Sequence, residues 1–573
     1  MMKKKNYKKA EVSIPVEDRG FQLPKINFDS SWFYILLIVA AGTLLYFKAF
    51  SYNFVDYDEG LMIQRINSPE ALLTKAVNSF KMPYLETYYR PVINISLMID
   101  YAAGQMRPLI YHVTNVVTHL INASLLFLIL IEFNASRKSS FLLSLFFMVH
   151  PLCTQAVVWM PGRNDSILAL FTLSGTLMFL KYLKSLNIKY FMLYIVFFSM
   201  SLLSKETALI IPFILSIYIW LKREELNAKK TFILFLPVWI VLSIGYLFAR
   251  NAVLSSMHKD QFSLTWDSFL TNLASIPEII GKIVLPLKFS PYILVSTEMT
   301  LFGYLIIFSV ISCLIYFRKK VTRNIIFGIL WIFLFILPFL LIPNYKTPNH
   351  NSYIESRFYI PLIGLTFLLI HFAELLSSKH KAWAKIILLF LILIPAIISF
   401  NYSTVFSNPM NHWSYASAKN SSDGYTKWKL GQDYLKTYRD VNSAEREYLT
   451  AVNCEPDNAV YHSELGIAYG LNRKIDLAEK ELLRAIELND KMYDAYASLG
   501  FLYFQTEDYD KAEKYWLLSI QKNENFLEPY INLIDLYITQ TRDEEAKNLG
   551  AVLNSKGQKM DFEQRKTYLK NNR

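Results

Sequence analysis

Residues 382–400 read AWAKIILLFLILIPAIISF, and residues 401–424 behind them read NYSTVFSNPMNHWSYASAKNSSDG. The first stretch is long and apolar enough to cross a hydrocarbon core of about 30 Å. The second, with its Asn, Ser and Pro, is not. The chain therefore changes solvent near Phe400, and its two sides have to be read by different rules.

Upstream, further apolar runs lie near 32–50, 111–131, 139–158, 166–183, 190–204, 207–221, 231–249, 298–317, 324–343 and 358–376, which with 382–400 makes eleven expected spans. Of 573 residues 53% are hydrophobic and 18% charged, too apolar for a soluble domain of this length. The net charge of +12 belongs to this side, because 22 basic and 26 acidic residues follow from Asn401 onward, leaving 37 against 21 before it. These basic residues stand in short clusters between apolar runs, as a topology signal would, rather than on a groove-lining surface, so no nucleic-acid partner is expected. Cys153, Cys313 and Cys454 are far apart and form no metal or disulfide spacing; no metal site is assigned from sequence, and a role for a divalent ion stays open.

Residues 1–31, with Lys3, Lys4, Lys5, Lys8 and Lys9, form a basic cytoplasmic segment before an uncleaved first anchor. The inner loops then hold Arg137 and Lys138; Lys181, Lys184 and Lys189; Lys222, Arg223, Lys229 and Lys230; Arg318, Lys319, Lys320 and Arg323; and Lys379, Lys381 and Lys385. All fall on one side. The apolar stretch 276–295, broken by Pro277, Glu278, Lys282, Pro286, Lys288 and Pro291, would reverse that order if it crossed, and is assigned to the outer interface as a juxtamembrane or re-entrant segment.

An odd number of spans places the remainder outside. There Ala444, Ala478, Ala512 and Ala546 recur every 34 residues, and Leu465, Leu499 and Leu533 share the interval. With Gly431, Gly466 and Gly500 and Tyr434, Tyr469, Tyr503 and Tyr537, this is the tetratricopeptide pattern, in which small residues let paired helices approach and Leu and Tyr fill between them. The expected order is a membrane domain over 32–400, a linker over 401–426, about four repeats over 427–555 and a polar tail over 556–573. The fold class is all-α: a polytopic helix bundle followed by an extracytoplasmic α-solenoid.

Polar residues at the outer ends of the spans are the candidates for chemistry, since ionisable groups near hydrocarbon depth are costly. Asp58 and Glu59 follow the first span and could take a proton from an acceptor hydroxyl, or be a solvated acidic loop. Arg90 precedes an amphipathic stretch and could meet a lipid phosphate or snorkel. His112, Asn115, His119 and Asn122 share one helical face, with substrate contact expected only of His112. His150 and Gln155, then Arg163 and Asp165, flank a turn between spans; Lys205 and Glu206 join two more; Glu355 and Arg357 enter another. An Arg beside a Glu there suits a phosphate presented on a lipid tail.

The ordered set resembles the membrane O-mannosyltransferases with C-terminal tetratricopeptide repeats and, more broadly, the multi-spanning glycosyltransferases of the GT-C type. It comprises Phe54-Val55 with Asp58-Glu59, Tyr89-Arg90-Pro91, Tyr111-His112 with Asn115, His119 and Asn122, His150-Pro151 through Gly162-Arg163 and Asp165, Ser204-Lys205-Glu206-Thr207, Glu355 and Arg357 through Pro361, then the repeats. The resemblance implies a polyprenyl-phosphate-linked sugar as donor, mannose or similar, and transfer to a hydroxyl, on a protein or peptide gripped by the repeats, at the extracytoplasmic face. It makes Asp58 or Glu59 the base, Asp165 a second acid of the pocket and Arg357 a phosphate contact. Gln155 stands where a Glu is common. Two other classes fit the same sequence: a repeat-bearing scaffold without catalysis, or a transferase acting on glycolipid or polysaccharide. The expected location is a bacterial inner membrane with the repeats in the periplasm, ahead of the endoplasmic reticulum with the repeats in the lumen.

Overall fold

The structure, a computed structural model, describes residues 30–55, 59, 62, 71–85, 87–225, 227–255, 266–291, 293–294, 296–316, 318, 322–341, 352–378, 383–558 and 561–571. It is a succession of helices, with one two-residue antiparallel ladder pairing Ile293 with Tyr353 and Leu294 with Ser352.

Each of the eleven apolar runs is met by a helix. Among the described residues seven helices are long and apolar enough to cross a membrane, from Ser31–Ser51 to Leu389–Phe406, and eight if the pair Arg137–Val149 and Pro151–Val158 is one broken span. That pair bends by 62° at His150. Pro151 takes the first helical position, where its missing N–H costs nothing, and the His150 ring nitrogen Nδ1 accepts from the Leu152 N–H at 3.3 Å. Ile188–Ser204 and Glu206–Leu221 are apolar but shorter. The chain is a multi-pass membrane protein.

Pro108–Glu132 is the central helix, flanked by Ser31–Tyr46, Arg137–Val149 and Arg163–Ser185. Its polar stripe faces protein throughout: Asn115 donates to the Trp159 carbonyl at 3.2 Å, Asn122 donates to the Ser166 carbonyl at 2.8 Å, and His119 bridges the Tyr359 hydroxyl and the Met148 carbonyl at 2.6 and 3.0 Å. The loops read as inner meet at one end of the bundle, where Lys184 pairs with Glu132 at 2.6 Å and Arg323 pairs with Glu225 at 2.5 Å and also with Glu224.

Within the 276–295 stretch a short, largely buried helix, Ile276–Val284, folds back on Thr297–Tyr316. The two touch backbone to backbone: a Cβ built on Gly303 would lie 1.6 Å from the Pro277 carbonyl oxygen. Only glycine permits that approach.

Beyond the last span, residues 401–426 contain a 3-10 turn and the helix Pro409–Lys419, because Trp413 and Ala416 bury against Leu430. This stretch sits on the bundle, with the Asn53 N–H donating to the Ser407 carbonyl at 2.9 Å and Asn420 reaching Ser290 at 3.5 Å. Four helix pairs follow, beginning at Gly424–Asp433 with Val441–Cys454 and ending at Glu528–Thr539 with Asp543–Ser555. The 34-residue residues fill their core, including Ala444, Ala478, Ala512 and Ala546. A second set repeats with the same interval: Glu445, Glu479 and Glu513 each reach forward to the next repeat. Glu445 accepts from Lys474 at 2.6 Å, Glu479 from the Tyr503 hydroxyl, and Glu513 from the Tyr537 hydroxyl at 2.7 Å and from Arg542 at 2.6 Å. The final helix, Phe562–Asn571, is tied to the last pair by Arg565 and Asp535, 2.7 Å apart between Nε and Oδ1.

Candidate functional site

At the end of the bundle opposite Arg323, residues from separate segments converge. Arg90 ends the approach to the Pro91–Gly104 helix and grips Glu206 with two hydrogen bonds, 3.2 and 2.6 Å, while its guanidinium lies 4.0 Å from the Tyr88 ring centroid. This fork geometry is the strong form of a charged pair. Burial opposes the charge on Arg90, but the Glu206 carboxylate more than offsets it and the pKa is raised.

Asp165 lies in the first turn of Arg163–Ser185, where a carboxylate is favoured by the helix dipole, and it accepts from Lys205 at 2.5 Å. Arg163, one residue pair away on the same turn, is 1% exposed and points elsewhere. It pairs with Asp100 at 2.6 Å and donates to the Tyr111 carbonyl at 3.1 Å. Asp100 also accepts from the Thr114 hydroxyl at 2.6 Å, so it pins the Pro91–Gly104 helix onto the bundle.

Glu355 and Arg357 share one 3-10 turn, Glu355–Phe358. Glu355 is fully buried, accepts from the Tyr402 hydroxyl at 3.0 Å and lies 3.4 Å from Lys282. Burial pushes its carboxyl up to about 7, against the pull of Lys282 and Tyr402. Lys282 is shared with Glu278 at 3.2 Å. Arg357 has a different setting. Its guanidinium sits 5.9 Å from the Phe339 ring, burial lowers its pKa, and Tyr88, Asp165, Arg90 and Glu206 are the charged or ionisable groups it feels.

Of the first acidic loop, Asp58 lies outside the described residues. Glu59 is fully buried and its carboxylate accepts from the Val55 N–H, so it braces its own loop. His112 is buried with its ring 6.2 Å from that of Tyr52, and His150 serves as the helix cap described above. The structure thus brings Arg90, Asp165, Lys205, Glu206 and Arg357 into one cluster, sets Glu355 directly behind it, and turns Arg163 into a fastening. Among the described residues no three His, Cys, Asp or Glu side chains are grouped as a metal ion would need.

Sequence reading passed over Asp100, Tyr402, Lys282 and Glu278 as site residues. Lys282 and Glu278 did leave a signal, since two opposite charges four apart in an apolar stretch imply a buried partner. Tyr402 left none. Gln155 bridges the last gap: its amide accepts from the Ser356 N–H at 3.0 Å and donates to the Pro291 carbonyl at 3.2 Å.

No family model matches the chain. Part of it is similar to protein O-mannosyl-transferases. Human TMTC3 is 30% identical over 158 residues, 26% of this chain and 17% of that protein. Drosophila melanogaster Tmtc1 is 32% identical over 121 residues, 21% and 14% of the two chains, and Caenorhabditis elegans F38B6.6 is 29% identical over 168 residues, 28% and 22%. The matches span less than a quarter of the length of these relatives. Among solved structures, a crystal structure of MamA aligns at 23% identity with a TM-score of 0.25, covering 27% of this chain and 91% of that one.

Proposed function

We propose that the chain is a membrane glycosyltransferase that moves a sugar, mannose or similar, from a polyprenyl-phosphate carrier to a hydroxyl on a protein or peptide held by the repeats. The observation that carries this reading is the state of Arg357. Among the described residues it makes no ion pair, although two carboxylates stand near it, because Asp165 is taken by Lys205 and Glu206 by Arg90. A half-buried guanidinium in that position is matched to an anion that arrives from outside, and a lipid-borne phosphate at the membrane interface has the charge and the geometry. The partial similarity to protein O-mannosyl-transferases supports the same class of chemistry.

In this reading Asp58 takes the proton of the acceptor hydroxyl, the acceptor oxygen bonds to the anomeric carbon as the sugar–phosphate bond breaks, and Arg357 meets the charge left on the lipid phosphate. One base and one displacement give inversion. Glu59, committed to the Val55 N–H, is the poorer base of the pair. The site and the repeats share the extracytoplasmic side, opposite the loops joined by Arg323, in a bacterial inner membrane with the repeats in the periplasm ahead of the endoplasmic reticulum.

The test is transfer of labelled sugar from polyprenyl-phosphate donors by the purified protein in lipid nanodiscs. Asp58→Asn should cut turnover by roughly 10²- to 10⁴-fold, Glu59→Gln by far less, and Arg357→Ala should chiefly raise the donor KM. Full turnover in both Asp58→Asn and Glu59→Gln, or none by the wild type with any such donor, would sink the assignment.

A further inference from the structure

Arg357 owes its placement to residues that do not face the cluster. The Glu355–Phe358 turn is fixed at three points. Glu355 is held by Lys282 and by the Tyr402 hydroxyl, at 3.4 and 3.0 Å. The Ser356 N–H is held by Gln155, whose other end is fixed to Pro291. Phe358 is buried against Phe339, their ring centroids 5.6 Å apart.

This arrangement is expensive for a mere fastening. Lys282 serves two buried carboxylates, Glu278 and Glu355, and all three are at most 1% exposed. Glu278 spends its other oxygen on the Ser296 N–H at 2.8 Å. Apolar side chains of similar volume would join these segments as firmly without the desolvation cost. Gln155 is likewise specific: the bridge needs one donor and one acceptor on the same side chain, which an amide supplies and a carboxylate does not. The two devices meet at adjacent residues immediately before Arg357, Lys282 on the Glu355 carboxylate and Gln155 on the Ser356 N–H.

We propose that Lys282 and Gln155 are positioning residues for the donor phosphate: they lock the Glu355–Phe358 turn so that Arg357 is presented to the site with its guanidinium uncommitted. The 276–291 segment is then the floor of the donor site. This rests on the glycosyltransferase reading, but its first test does not.

The test compares Lys282→Met, Gln155→Ala and the triple variant Lys282→Met/Glu278→Gln/Glu355→Gln in the full chain, since Lys282 serves both carboxylates. Hydrogen exchange over 354–360 should rise at least fivefold in each single variant, with exchange in the bundle outside 276–296 unchanged. The triple variant should return the Lys282→Met rise most of the way, because both stranded carboxylates have gone. In the donor assay the same single variants should raise the KM for the polyprenyl-phosphate sugar about tenfold or more while kcat falls less, and the triple variant should recover from the Lys282→Met loss. Unchanged exchange over 354–360 overturns the lock. Raised exchange with an unchanged donor KM, in a wild type that transfers sugar, overturns its role at the donor site. A wild type inert with every such donor overturns the enzymatic reading and, with it, the role of the lock at the donor site, and the exchange data alone then decide whether the lock exists.

Discussion

The bundle and the repeats both tie distant backbone together with ion pairs, and they do so under opposite conditions. In the pairs of the bundle interior the partners are buried and mostly far apart in sequence, as with Arg163 and Asp100, which are 1% and 4% exposed. In the repeats the partners recur at a fixed interval and stay half in water, as with Arg542 and Glu513 at 34% and 22%. Water supports the second kind if a partner is lost. Nothing supports the first, so each buried pair is close to all or nothing, whereas each pair in the repeats is a small increment.

Three measurements would break or sharpen that contrast. The largest effect is expected from Asp100→Leu, which strands the Arg163 guanidinium and should lower the stability of the membrane half by about 3–5 kcal/mol; Asp100→Leu/Arg163→Met should regain most of it. Thermal melts in detergent would show this, and equal melting of single variant and wild type would refute the buried-pair account. Next comes Glu355. Its carboxyl is raised from an ordinary 4.5 to about 7 by burial, so the folded state favours the protonated form. The resulting stability, about 3 kcal/mol, is present below roughly pH 4.5 and lost as pH rises through about 7. The melting temperature should therefore fall between about pH 5 and pH 8, and Glu355→Gln should flatten that fall. A slope unchanged by the substitution would assign it to other groups. The smallest effect is expected from Glu513→Gln, under about 1 kcal/mol, read as less than a fivefold rise in hydrogen exchange over 528–555. A larger rise would mean that the glutamate ladder carries the array.

The same contrast decided what could be read in advance. Ala444, Ala478 and Ala512 announce their packing because each repeat solves one problem in the same way. The glutamates at 445, 479 and 513 share that interval, yet went unread because a charged residue on a helix surface has a bland explanation. In the bundle, the sidedness of Arg90, Asp165, Lys205, Glu206 and Arg357 was legible from basic-loop alternation, since cost at hydrocarbon depth singles such residues out. Who pairs with whom was not. Arg163 and Asp165 stand two apart and invite mutual pairing, but one turn of helix sends them to Asp100 and Lys205 instead. Segment 276–295 was read as lying outside the span count, while its fold-back and its grip on Glu355 depend on Gly303, whose significance appears only when Pro277 lies against it.

That glycine contact has a mechanical consequence. Thr297–Tyr316 is among the barest helices of the bundle, with only 11% of its apolar window covered by protein, so its flanks belong to the lipid. Through Gly303 it is joined without slack to the short helix that carries Lys282. A change in bilayer thickness that tilts the one must drag the other. Under the proposed transferase reading, donor KM should then vary with acyl-chain length in reconstituted membranes, and the thickness of the surrounding lipid would be an input converted into affinity.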